Sequence, residues 1–198
     1  DGRASVWERQ SLLRARVAAG DTQLAEAVEE DIRTLLADAA FTSVQRDEIR
    51  RMREGMEPTS RFRQMDYIDI KRSAGGLVDC EFAVQLLALS GGMREAGNTS
   101  ATLQRMQAMY PDLAPALTRM HVRYESLRRL QLLFRVLLDI PGNLFPSDSA
   151  QRRLLAAAGG YEDGDAMLAA LQKDMRENRE DFDSICAALF SHDRSQEH

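Results

Sequence analysis

Between Ala114 and Asp139, apolar residues recur at threes and fours for many turns: Leu117, Met120, Tyr124, Leu127, Leu130, Phe134 and Leu137. That spacing lays one apolar stripe along a long α-helix, and it is the strongest periodic signal in the chain. Pro141-Gly142 ends it.

The rest of the chain reads the same way. Leu, Ala, Met, Arg and Glu are plentiful while aromatics make up 6%, a mixture that favours helix over strand. A first helix is expected from Ser5 to Ala19, with Val6, Leu13 and Val17 on its stripe, ending at Gly20-Asp21. A second, Thr22 to Ala40, is expected to bury Leu24, Val28, Ile32 and Leu35. A third follows a Ser43 N-cap to Glu57, before Pro58 and a polar, irregular stretch to Gln64. Tyr67, Ile68 and Ile70 give a short extended character, too isolated to anchor a sheet. Gly75-Gly76 then launches a helix through Leu89, with Val78, Phe82, Leu86 and Leu89 facing inward, closed by Gly91-Gly92. Met93 to Gly97 reads as a loop, and Asn98 or Thr99 caps a helix reaching Tyr110. A short helix from Ser149 to Ala158 and a long one from Asp165 to Phe190 complete the set, with a frayed tail. Asn178 interrupts the last apolar stripe and reads as a solvated edge or a partner contact. The expected architecture is all-α: a bundle of about seven helices in a single domain spanning 1–198, with 149–190 as a candidate C-terminal lobe.

A chain of 198 residues, 44% hydrophobic and 29% charged, buries a sizeable core without metals or disulfides. The net charge is −5, and the arginines are scattered among acids, so neither a nucleic-acid partner nor a basic face is expected. Cys80 and Cys186 lie far apart inside apolar helical patterns, which reads as buried free thiols in a reducing cytoplasm. No apolar run is long enough to span a bilayer and no signal peptide is evident. The first residue is Asp rather than Met, which reads as a chain cut from something longer.

The segment DIKRSAGGLVDCEF, Asp69 to Phe82, resembles the signature of the helical domain in glutamine synthetase adenylyltransferases: acid-apolar-Lys, a short linker, Gly-Gly, an apolar pair, then Asp-apolar-Glu-Phe. WERQSLLRARVAAGD (Trp7 to Asp21), EIRRMRE (Glu48 to Glu54), NTSATLQRM (Asn98 to Met106) and LRRLQLLFRVL (Leu127 to Leu137) follow the family's order, so the resemblance covers nearly the whole chain. Members of that family carry two nucleotidyltransferase domains, each followed by a helical domain. One half attaches AMP to a tyrosine of glutamine synthetase and the other removes it by phosphorolysis, which regulates nitrogen assimilation. Asp79 and Glu81 in the signature resemble the attaching, C-terminal half, with Cys80 in place of the usual Ile. PII uridylyltransferases share a similar helical domain and are the second family resembled. The resemblance implies ATP and Mg²⁺ in the parent enzyme. It implies as partners a nucleotidyltransferase domain of the same polypeptide, glutamine synthetase and the PII signalling protein.

Nucleotidyl transfer of this type needs a Gly-Ser or Gly-Gly turn on phosphate and two or three carboxylates on adjacent strands holding Mg²⁺. Asp66 and Asp69 flank an extended segment, but no Gly-Ser turn precedes them and no third carboxylate sits on a neighbouring strand. No catalytic residue and no metal ligand is therefore assigned, and the chain alone is expected to be inactive. Lys71 is the leading candidate for a nucleotide-phosphate contact, because the family pattern has a Lys there; the alternative pairs it with Asp79 or Glu81 to pin the loop. Arg14 and Arg16 are the other phosphate candidates, though they leave their helix on different sides. Gly75-Gly76 at a helix start reads as a tight turn needing unusual backbone angles, since Asp79 in the first turn would repel an anion. Glu81 and Gln85 are expected in a buried polar network with Lys71, Arg14 or Arg16; Trp7 reads as an anchor against another domain and His121 as structural.

Three functions fit these residues. The first is a wall of an adenylylation cleft, the second a pure module binding glutamine synthetase or PII. The third is a free-standing helical protein that kept the scaffold and lost the chemistry.

Overall fold

The computed structural model describes residues 5–37, 41–58, 68–93, 96–139 and 142–194, with side chains described as far as residue 189. Asp66, Tyr67, the irregular stretch after Pro58, the second helix beyond Ala37, the middle of the loop after Met93, Pro141 and the end of the tail lie outside these residues.

Eight α-helices occur among the described residues: α1 (Val6–Leu12), α2 (Thr22–Ala37), α3 (Ser43–Gly55), α4 (Leu77–Ser90), α5 (Thr99–Met109), α6 (Ala114–Leu138), α7 (Ser149–Gly159) and α8 (Gly164–Arg194). The fold is an all-α bundle. The single sheet-like pairing among the described residues is an isolated antiparallel bridge between Asp69 and Leu144.

α4 is the central helix. From Leu77 to Leu89 every residue except Glu81 is buried, as expected for a helix that is apolar all round. α3, α5, α6 and α8 pack around it, and α7 lies against α6 and α8. The long stripe of α6 is buried from Leu117 through Phe134, while Leu137 at the helix end stays 37% exposed. Each fully buried leucine or phenylalanine of this core contributes ~1.5–3 kcal/mol. Asn98 caps α5 by accepting from the Ser100 N–H at 2.8 Å, and His121 of α6 meets the Ser100 hydroxyl at 2.8 Å, tying the two helices together.

Three helices depart from their expected form; in the third, α3, the N-cap is Thr42 rather than Ser43, its hydroxyl accepting from the Gln45 N–H at 3.3 Å. α1 ends at Leu12, not Ala19. The Leu13 carbonyl accepts from the Ala96 N–H at 2.9 Å, so it is withdrawn from the helical ladder. Long-range pairing wins because Leu13 itself is fully buried. The second departure is α2. Three of its four expected stripe residues face outward, with Leu24 65%, Val28 40% and Leu35 38% exposed, while Ile32 packs against the core beside the buried Leu36.

Candidate functional site

The loop from Asp69 to Gly76 is a folded object held from every side. The bridge to residue 144 sets its start: Ile70 N–H donates to the Asn143 carbonyl at 2.9 Å, and Phe145 N–H to the Ile68 carbonyl at 2.8 Å. The Asp69 carboxylate then accepts from the Lys71 and Arg72 N–H groups at 2.9 and 3.0 Å, a local turn typical of Asp. Ser73 closes the ring, donating its N–H to the Asp69 carbonyl and receiving the Asp69 N–H on its hydroxyl.

The loop also consumes the donors of the helix it launches. The N–H groups of Leu77 and Val78 bond the carbonyls of Ile70 and Lys71 at 3.0 Å, and the Gly75 N–H goes to the Asp79 carboxylate. The Gly76 and Asp79 N–H groups are spent within the turn. An α-helix start with free donors is an anion site; this one has its donors satisfied. Gly75 supplies the turn with φ +77°. It also lets α8 approach: a Cβ there would sit 1.7 Å from the Met175 carbonyl oxygen.

Below the loop lies a buried ionic latch. Arg53 of α3 and Asp79 of α4 are both 0% exposed and form an ion pair. Burial pushes the Asp79 carboxyl above its ordinary range; Arg53, the Gly75 N–H and Arg179 pull it back down. Arg53 also donates to the carbonyls of Arg72 and Ser73 at 3.2 and 3.1 Å, so the same guanidinium grips the loop. Arg179 of α8 reaches Glu57 at 2.6 Å and Asp79 at 3.8 Å, completing a four-residue network. Asn178, beside it, is fully buried and donates to the Gly75 carbonyl at 2.8 Å and to the Cys80 sulfur at 3.2 Å. This corrects the reading of Asn178 as a solvated edge. The residue interrupts the stripe because a buried carbonyl needs a donor there.

Glu57 and Arg179 also line a cavity of about 710 Å³, together with Ser73, Ala74, Met175 and Arg176. A second ionic cluster joins α6 to α8, where Arg123 pairs with Asp181 at 2.7 Å and with Glu177.

The loop places Lys71 half-buried on this rigid frame. Its side chain makes no hydrogen bond or ion pair among the described residues. The expected partners are taken: Asp79 by Arg53, and Glu81 by Arg14 at 3.8 Å. Arg14 and Arg16 both lie beyond the end of α1, and Arg16 is exposed with no partner among the described residues. No contact among the described residues joins Lys71, Arg14 and Arg16. Gln85 pairs with Gln10 of α1 rather than with a charged group. Trp7 is 56% exposed. Cys80 and Cys186 are buried free thiols, and burial pushes both up to about 12. No group of three or more His, Cys, Asp or Glu able to hold a metal ion occurs among the described residues.

Arg53 was not legible as the partner of Asp79, because it sits in the charged run EIRRMRE. One signal existed: Arg46, Ile49 and Arg53 recur at three and four, and these are the buried residues of α3.

Fold and loop together define an all-α bundle domain organised on a Gly-Gly turn clamped by a buried ion pair. The chain belongs to the family described as GlnD PII-uridylyltransferase, whose model matches residues 43–190. Its relatives include proteins named bifunctional glutamine synthetase adenylyltransferase/adenylyl-removing enzyme. That of Stenotrophomonas maltophilia (strain R551-3) is 30% identical over 91% of this chain and 20% of its own length. That of Xanthomonas campestris pv. campestris is 32% identical over 83% of this chain and 18% of its own. That of Mesorhizobium japonicum is 28% identical over 93% and 19%. The chain thus spans about a fifth of the length of these relatives. No helix among the described residues is long and apolar enough to cross a membrane.

Proposed function

We propose that this chain is the helical domain accompanying the adenylylating centre of a cytoplasmic glutamine synthetase adenylyltransferase, the attaching, C-terminal half. In that role it forms one wall of the cleft in which AMP passes from ATP to a tyrosine of glutamine synthetase. The observation that carries this reading is Lys71: its main chain is bonded to Asp69 at 2.9 Å, its loop is gripped by Arg53, and its side chain has no partner among the described residues. A cation held on a pre-organised frame is suited to a phosphate group, because no reorganisation is needed when charge arrives. Arg14 and Arg16 are the secondary phosphate contacts in this reading. Mg²⁺ would be held by carboxylates of a nucleotidyltransferase domain, where it would polarise the α-phosphate.

The test is Lys71→Met in the full-length enzyme, read as transfer of labelled AMP to glutamine synthetase. Turnover is expected to fall roughly a hundredfold or more with the fold unchanged. Near-intact turnover would leave the second reading, a module that only binds glutamine synthetase or the PII protein.

A further inference from the structure

α2 has an apolar face that the bundle uses only at Ile32, which packs against the core. Leu24, Val28 and Leu35 are 65%, 40% and 38% exposed on one stripe of the helix, with half-buried Ile32 between them. The helix is held at its C-terminal end, where Leu36 is buried and the Arg9 guanidinium donates to the Leu36 carbonyl at 3.4 Å. The adjoining helix α1 adds Trp7, itself 56% exposed. Helices this short draw their stability from covering an amphipathic face, so a face left bare on a sixteen-residue helix is one awaiting cover.

The charges select what covers it. α2 carries Glu26, Glu29, Glu30 and Asp31 against a single arginine, Arg33, which is already paired with Glu29 at 3.6 Å and with Glu30. A second copy would bring two acidic helices together in a chain of net charge −5. We propose that the α2 face docks a protein surface whose apolar strip is bordered by lysines and arginines, carried by the part of the longer enzyme that this chain does not cover. The proposal rests on the reading above only in taking this chain as one domain of a longer enzyme. It does not need Lys71 to touch nucleotide.

The experiment is hydrogen–deuterium exchange of peptides covering α2, in the full-length polypeptide and in the 198-residue chain. Amide exchange in α2 is expected to be at least tenfold slower in the full-length protein. The double variant Leu24→Lys/Val28→Lys should lose that protection, and raising NaCl should weaken it. Lys71→Met should leave α2 protected while transfer falls, which separates this proposal from the previous one. Equal exchange in both proteins overturns it, as does a parent polypeptide holding nothing beyond this chain. Protection that rises with the concentration of the 198-residue chain alone points to a second copy and also overturns it. Protection indifferent to salt overturns the basic border.

Discussion

Arg53 and Asp79 face each other with no solvent on either side chain, across the junction of α3 and α4. A guanidinium and a carboxylate that deep each carry a desolvation penalty of several kcal/mol, which only mutual attraction and further hydrogen bonds offset. Arg53 finds those further bonds on the carbonyls of residues 72 and 73, so the ion pair and the loop carrying Lys71 stand or fall together.

Arg53→Met is therefore expected to cost about 3–5 kcal/mol, because it leaves Asp79 charged and buried. Arg53→Met/Asp79→Leu should recover much of that loss. Urea unfolding of the two single variants and the double variant checks this; additive losses would mean the pair is not coupled.

The same variant should acquire a pH dependence of definite sign. Asp79 is already raised above its ordinary 3.8 by burial, and without Arg53 it rises further. Between the unfolded value and the raised folded one, the folded state holds a proton that the unfolded chain has released. Stability of Arg53→Met should thus fall as pH rises through that window, by up to ~1.4 kcal/mol per pH unit. Thermal melts across pH 4 to 8 test it, with a slope steeper than the parent's as the expected result.

Gly75→Ala and Gly92→Ala form a matched contrast. Both glycines have positive φ, +77° and +65°, so both substitutions carry the ~1–2 kcal/mol cost of the left-handed region. A Cβ on Gly92 meets nothing within 4 Å, whereas one on Gly75 meets the Met175 carbonyl at 1.7 Å. The Gly75 variant should be the less stable by several degrees in melting temperature, with α8 lifted from the loop.

Much of the bundle was legible in the sequence, and the misses share a cause. The stripes of α6 and α8 were readable because periodicity reports which face is covered whenever other helices supply the cover. It failed for most of α2, where Ile32 meets the core but the cover of Leu24, Val28 and Leu35 is not among the described residues. It also failed at α1, where the Leu13 carbonyl leaves the helical ladder to pair with Ala96. The latch was half readable. Asp79 stood out as a first-turn acid able to pair with a base, but the base it suggested was Lys71, and Arg53 and Asn178 look like surface residues until distant segments meet.

The two thiols give a separate check on burial. Cys80 and Cys186 are enclosed and pushed up to about 12, so almost no thiolate exists at pH 8. Ellman's reagent should find no fast-reacting thiol in the folded protein and two in denaturant. A thiol that reacts at the rate of a free cysteine would contradict the packing of α4 or α8.

The bond from Asn178 to the Gly75 carbonyl joins residues 103 positions apart, and that from Arg46 to the Leu189 carbonyl spans 143. During synthesis more than four-fifths of this sequence therefore emerges before α8, with the central turn unanswered. The Gly75 carbonyl and one flank of Asp79 wait for α8, the last of the described helices to be made. The contacts of α8 with the Gly75 turn can form only after every segment before it has been made. Until then the nascent chain shows chaperones and proteases a polar turn and an open apolar seam.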